Sequence, residues 1–187
     1  MTLRSLLATA AALACGACGR GEPLSKASME HGIHPGEQMV AASLSCMTGG
    51  ERTLADPSAV QVVTFATPYD CSACSPHMAL VPRVLRRVNA SDRAFVVVWA
   101  PNRASLAHSL GRARSELPVC LDEKGVYWDR HNIQHTPFTV VIDHGRVVYT
   151  NDATLQNRAT VERFTRDLNT VFANSTHHAQ PLVSARQ

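Results

Sequence analysis

Val60-Gln61-Val62-Val63-Thr64-Phe65-Ala66, followed by Cys71-Ser72-Ala73-Cys74, is the stretch on which the fold turns. The first seven residues are mostly apolar and β-branched and carry no charge, as in a buried strand. From about residue 72 to 89 the pattern becomes helical. Met78, Leu80, Val81, Val84, Leu85 and Val88 fall mostly on one side, and Arg83, Arg86 and Arg87 largely outside. A Cys-x-x-Cys where a strand meets a helix is a place where a thiolate becomes reactive. Partial positive charge and unpaired N–H groups at the helix N-terminus favour S⁻ over SH. The two sulfurs are also close enough in sequence to close a small disulfide ring. The combination points to electron exchange between thiols.

Downstream, Phe95-Val96-Val97-Val98-Trp99-Ala100 is a second continuous apolar run and predicts another strand buried on both faces. A helix is expected over Asn102–Glu116, with Leu106 and Leu110 at i, i+4, and a short buried strand over Leu117–Leu121. Phe138–Ile142 and Arg146–Thr150 read as two strands joined by Asp143-His144-Gly145, a hairpin signal. An amphipathic helix follows from Thr154 to Phe172, with Val161, Phe164, Leu168 and Val171 at core spacing. Upstream, Ser43–Leu54 divides into two short strands around Thr48-Gly49-Gly50. Alternating strands and helices imply parallel pairing, and the late hairpin adds antiparallel strands at one edge. The expected class is one α/β domain with a mixed sheet, over residues 41–173.

The chain has 187 residues, 45% hydrophobic and 18% charged, which suits one domain with a core plus extensions. The formal charge of +3 is small and its Lys and Arg residues are scattered, so no nucleic-acid footprint is expected. Residues 1–18 read as an export signal: Met1-Thr2-Leu3-Arg4 is a short basic start, and Ser5–Ala14 an Ala/Leu-rich run too short to be an ordinary transmembrane helix. Small residues before Cys15 and Cys18 resemble a lipoprotein processing signal, with either cysteine as the lipid-bearing anchor; the alternative is simple secretion with neither modified. Residues 19–40, rich in Gly, Pro, Ser and charge, predict a flexible tether, and residues 174–187 a disordered tail.

Beyond the signal stand Cys46, Cys71, Cys74 and Cys120. An exported chain permits disulfides, and four cysteines allow three full pairings. Cys120 sits in an apolar strand as a small core residue. Cys46 is either free or paired with Cys120, and the sequence leaves both open. A zinc site at Cys71 and Cys74 would need two further ligands at regular spacing, and no second Cys-x-x-Cys or His-x-x-His pair occurs.

A Cys-x-x-Cys after the first long buried strand, and a Thr136-Pro137 about sixty residues later before a strand hairpin, resemble the thioredoxin fold. The likeness covers residues 43–172 and is nearest to the membrane-tethered, redoxin-type extracytoplasmic thiol-disulfide oxidoreductases of the cytochrome c maturation kind. Gln134-His135-Thr136-Pro137-Phe138-Thr139-Val140-Val141-Ile142-Asp143-His144-Gly145 is similar to that family's second signature. The resemblance implies a mixed central sheet flanked by helices with an N-terminal β-hairpin. It also implies a cis bond before Pro137, packing of that proline against the dithiol, and pairing of the Thr136 backbone with a bound peptide. Cys71 would be the exposed nucleophile and Cys74 the more buried resolving thiol. No cofactor is implied beyond a redox-active Cys71–Cys74 disulfide. Implied partners are cysteine-containing exported proteins, a membrane or periplasmic thiol redox partner, and the membrane itself through the lipid anchor.

Three positions depart from the family. Asp70 replaces the Trp that usually precedes the motif; as an anion it raises the neighbouring thiol pKa, or it serves as a helix cap. Thr64 stands where relatives often bury an acid. His77 replaces a Glu three residues after the second cysteine; a histidine there can accept a proton from Cys74 or, protonated, stabilise a thiolate, or else stand exposed and uninvolved. His135 with Cys71 and Cys74 would resemble copper-delivering relatives, since thiolates and imidazole suit Cu(I), although those relatives space their cysteines differently. The functions to be weighed are thus a thiol-disulfide oxidoreductase, a metal chaperone and a binding module without turnover.

Overall fold

The computed structural model describes residues 32–67, 73–110 and 115–178. The export signal with Cys15 and Cys18, and Asp70, Cys71 and Ser72 at the dithiol, lie outside them. In chain order the elements are β1 (Ala42–Ser45), β2 (Glu51–Leu54), β3 (Val60–Ala66), α1 (Cys74–Arg87) and β4 (Ala94–Trp99). Then come α2 (Arg103–Leu110), β5 (Val119–Asp122), α3 (Val126–Arg130), β6 (Phe138–Asp143), β7 (Arg146–Asn151) and α4 (Arg158–His178). The main sheet is ordered β5-β4-β3-β6-β7, and β1 and β2 form a separate hairpin. β3 runs parallel to β4, β4 parallel to β5, and β6 antiparallel to both β3 and β7. This is the expected α/β architecture, a thioredoxin fold with a mixed central sheet flanked by helices.

The uncharged strands explain why β3 lies at the centre. Successive side chains face opposite sides. Val62, Ala66, Val96, Val98 and Val141 pack against α1 and α4, with Val81, Leu85, Phe164 and Leu168. Val63, Phe65, Val97, Val140 and Ile142 face a second layer containing Leu44, Leu54, Met39, Ile33 and Tyr127. Phe65 stacks on Phe138 across the β3–β6 pair, with centroids 5.0 Å apart.

The second layer corrects the expected tether. Residues 33–40 are part of the domain, with Ile33 and Met39 buried. The Gly36 and Met39 N–H groups donate to the Val147 and Gly145 carbonyls, and the Val147 N–H returns a bond to Glu37. Glu37 Oε1 also pairs with His131 Nδ1 at 2.9 Å, and the Tyr127 hydroxyl donates to the Val40 carbonyl. A segment held by a few backbone bonds and two apolar anchors leaves no periodicity to read. The carboxyl end also differs, because α4 continues to His178, past the expected start of the tail at Asn174. The short α3 has no counterpart among the expected elements. Asp122 at the end of β5 sets its start by accepting the N–H groups of Val126 and Tyr127. No helix among the described residues is long and apolar enough to cross a membrane.

Cys46 and Cys120 form a disulfide, which realises one of the open alternatives. They stand opposite each other in an antiparallel bridge beyond the end of β1, and the Met47 N–H donates to Val119. The hairpin is thereby stapled to β5, which covers part of an otherwise open sheet edge. Both cysteines are buried. The bridge closes a loop of 74 residues. Constraint of the unfolded chain by a loop of that length is worth about 3–5 kcal/mol. The double variant Cys46→Ala/Cys120→Ala is therefore expected to lose about that much stability in urea unfolding, and an unchanged midpoint would contradict the staple.

Candidate active site

The sheet topology brings three chain segments to one edge. Parallel β3 and β4 both end there, and β6 begins there, because it pairs antiparallel from Phe65–Phe138 down to Val60–Asp143. The segment leaving β3 leads to α1, which starts at Cys74 with Ala73 in the N-cap position and no capping side chain. Pro76 lies in the first turn, where its missing N–H has no helical acceptor to lose. Cys74 is thus the first residue of the helix, 6% exposed and disulfide-bonded.

Facing it is the loop before β6, where the Thr136–Pro137 bond is cis. The Thr136 hydroxyl oxygen stands 3.9 Å from the Cys74 sulfur and 2.8 Å from that of Thr67, just past the end of β3. His135, next in the loop, is exposed. Among the described residues, no three His, Cys, Asp or Glu side chains are grouped to hold a metal ion. Of the trio considered for copper, Cys71 lies outside those residues.

His77 is one turn beyond Cys74 and wholly buried. Its Nδ1 accepts the Leu155 backbone N–H at 3.2 Å. The proton of the neutral ring is therefore on Nε2, which donates to Thr139 Oγ1 at 3.2 Å. Thr139 Oγ1 in turn shares a hydrogen bond with Thr64 Oγ1, 2.9 Å away on the neighbouring strand. Both nitrogens are thus engaged inside the core, and the ring ties α1, β6, β3 and the approach to α4 together. Burial lowers the His77 pKa from 6.5 to about 4, so the ring is neutral at physiological pH.

The residues that join the site to the core, Thr67, Thr139 and the Leu155 N–H, carry no signal in the sequence. Thr64 stands out there only for the acid it replaces. The pairing of Thr64 with Thr139 follows from the β3–β6 register, which places them directly opposite. Spacing along the chain carries no sign of it, since 75 residues separate them.

No protein-family model matches the sequence, and no curated protein matches it. Solved structures do. The protein assigned as thiol:disulfide interchange protein DsbE of Chlorobium tepidum superposes with a TM-score of 0.59 at 18% identity, over 74% of this chain and 97% of that one. StoA of Bacillus subtilis gives 0.54 at 14% identity, over 68% and 95%. The peroxidoxin BcpB of Mycobacterium tuberculosis gives 0.56 at 17% identity, over 74% and 98%. The chain has the fold of thioredoxin-like proteins, and among its neighbours are thiol-disulfide oxidoreductases. A peroxidoxin on the same fold means that activity must be argued from the site.

The buried histidine has a measurable consequence. Between pH 6.5 and 4 the unfolded chain binds a proton at His77 that the folded chain refuses, so stability falls as pH drops through that window. The loss attributable to His77 is roughly 3 kcal/mol, from about 1.4 kcal/mol per unit. His131, also lowered by burial, adds in the same direction. Urea titrations at pH 7 and pH 4.5 should show a smaller pH difference for His77→Gln than for the parent. Equal differences would mean that His77 titrates normally.

Proposed function

We propose that this protein is a thiol-disulfide oxidoreductase that exchanges electrons with cysteines of exported proteins through Cys71 and Cys74. The observation that carries the reading is Cys74: disulfide-bonded, nearly buried, first in α1 and beside a cis Thr-Pro bond. With Cys46 joined to Cys120, Cys71 is the partner that sequence spacing offers Cys74. The buried Cys46–Cys120 bridge also favours an oxidising compartment, in keeping with an export signal and a lipid anchor at Cys15 or Cys18.

The chemistry runs through two exchanges. In the reducing direction the Cys71 thiolate attacks one sulfur of a client disulfide. The client S–S bond breaks, and the departing sulfur leaves as a thiolate that takes a proton from water. The Cys74 thiolate then attacks the Cys71 sulfur of the mixed disulfide. This closes Cys71–Cys74 and releases the second client thiolate. Two electrons pass to the client, and a membrane or periplasmic thiol partner restores the dithiol. The oxidising direction is the same sequence reversed. In this reading the Thr136 backbone pairs with an extended client strand; its hydroxyl stands near Cys74. His77, neutral and bonded at both nitrogens, acts in this reading by holding the first turn of α1 against β6. Asp70, beside the nucleophile, opposes thiolate formation by its charge.

Insulin reduction with dithiothreitol as electron source tests the reading. The parent protein should accelerate precipitation, Cys71→Ser should abolish the effect, and Cys74→Ser should trap a mixed disulfide on Cys71. A parent rate equal to that of the Cys71→Ser/Cys74→Ser variant would refute the proposal. The reduction potential of the pair then assigns direction: a value near about −270 mV marks a reductant and one near about −120 mV an oxidant.

A further inference from the structure

Away from the dithiol, α1 and the start of α4 enclose a cleft of about 580 Å³. Arg83, Arg87 and Leu80 line it from α1, and Arg158, Val161 and Glu162 from α4. Its volume is that of a small-molecule site. Arg83 is nine residues along α1 from Cys74, roughly 14 Å of helix rise, so the cleft is separate from the sulfurs.

The charges do not cancel. Arg158 Nε is paired with Glu162 Oε1 at 2.6 Å, and Arg86, on the same helix as Arg83 and Arg87, is paired with Glu116. Among the described residues no carboxylate stands within ion-pair distance of Arg83 or Arg87, although the Glu162 carboxylate that lines the same cleft is also stabilised by the charge of Arg87. Arg83, Arg87 and Arg158 against Glu162 leave the cleft net positive. Arg83 and Arg87 are spaced i, i+4 on one helix, where like charges destabilise by a few tenths of a kcal/mol. A basic residue in the last turn, as Arg87 is, answers the helix dipole, but Arg83 lies a turn earlier, where that benefit has faded.

We propose that this cleft binds a phosphomonoester, its dianion bridging Arg83 and Arg87 and its carbon portion resting on Leu80 and Val161. A phosphomonoester near neutral pH carries close to two charges, matching the excess of Arg83, Arg87 and Arg158 over Glu162 in the cleft lining, and its three terminal oxygens can accept from both guanidinium forks. A carboxylate supplies one charge and would leave one arginine unanswered. Half-buried Leu80 and Val161 beside the arginines favour an esterified phosphate over the bare ion, because the cleft is far larger than one phosphate. The same chemistry occurs in soluble metabolites and in the headgroup of phosphatidate.

The test uses the full chain at low salt. Glycerol 3-phosphate is titrated by calorimetry, and cosedimentation is measured with phosphatidylcholine vesicles with and without phosphatidate. The parent should bind at least one probe, and Arg83→Gln/Arg87→Gln should weaken that binding about tenfold or more. Arg93→Gln, an exposed arginine outside the cleft, is the charge control and should bind as the parent does. Circular dichroism and the thermal midpoint establish that each variant is folded. Binding of glycerol 3-phosphate assigns a soluble ligand, and binding to phosphatidate vesicles alone assigns the lipid headgroup. Binding of neither probe, equal binding by the double variant, or equal weakening by Arg93→Gln overturns the proposal.

Discussion

The pairing of β3 with β6 is the constraint on which the rest of this structure depends. Its register runs from Val60 opposite Asp143 to Phe65 opposite Phe138, and every consequence for the site follows from it. It brings the cis Thr136–Pro137 bond to the end of the strand that leads into the Cys-x-x-Cys. It sets Thr64 beside Thr139 and leaves Thr67 within hydrogen-bond distance of Thr136. A slip of one residue would turn Phe65 and Val63 out of their layer and replace them with Thr64. The two apolar layers therefore hold the polar row in place.

That polar row is the least ordinary part of the core. A histidine and two threonines are buried between a sheet and a helix, where unpaired polar groups would each cost on the order of 1–3 kcal/mol. The cost is offset because the groups form a chain: the Leu155 N–H donates to His77, His77 donates to Thr139, and the Thr139 and Thr64 hydroxyls share a hydrogen bond. Desolvation then keeps the imidazole uncharged at physiological pH. Where the resemblance suggests a buried carboxyl group, this chain has hydroxyls and a neutral ring.

Much of the architecture was legible from the residues. β3 and β4 announce themselves as uncharged apolar runs, and the α1 stripe from Met78 to Val88 could be assigned a face before any coordinates. Asp143-His144-Gly145 marks the turn between β6 and β7, and in the structure His144 and Gly145 both have positive φ. The cis bond at Thr136–Pro137 is what the family resemblance of the surrounding motif implies. Other features left no such trace. Residues 33–40 pack through Ile33, Met39 and a few backbone bonds to β7, a pattern with neither helical nor strand periodicity. A change in composition suggests an end for α4 near Phe172, whereas its backbone bonds continue to His178.

The residues alone gave the kinds and order of the longer elements, though not the short α3, because hydrophobic period and turn chemistry are local properties that act within a few positions. They also singled out Cys71 and Cys74 as the candidates for chemistry. Folding in three dimensions was needed to choose among the cysteine pairings, since Cys46 and Cys120 meet across 74 residues. It was needed equally to show that both nitrogens of His77 are engaged in the core, and to bring Arg83 and Arg87 of α1 together with Arg158 of α4 around one cleft. Such meetings depend on strand register and helix packing, which are properties of the whole chain and are encoded at no single position.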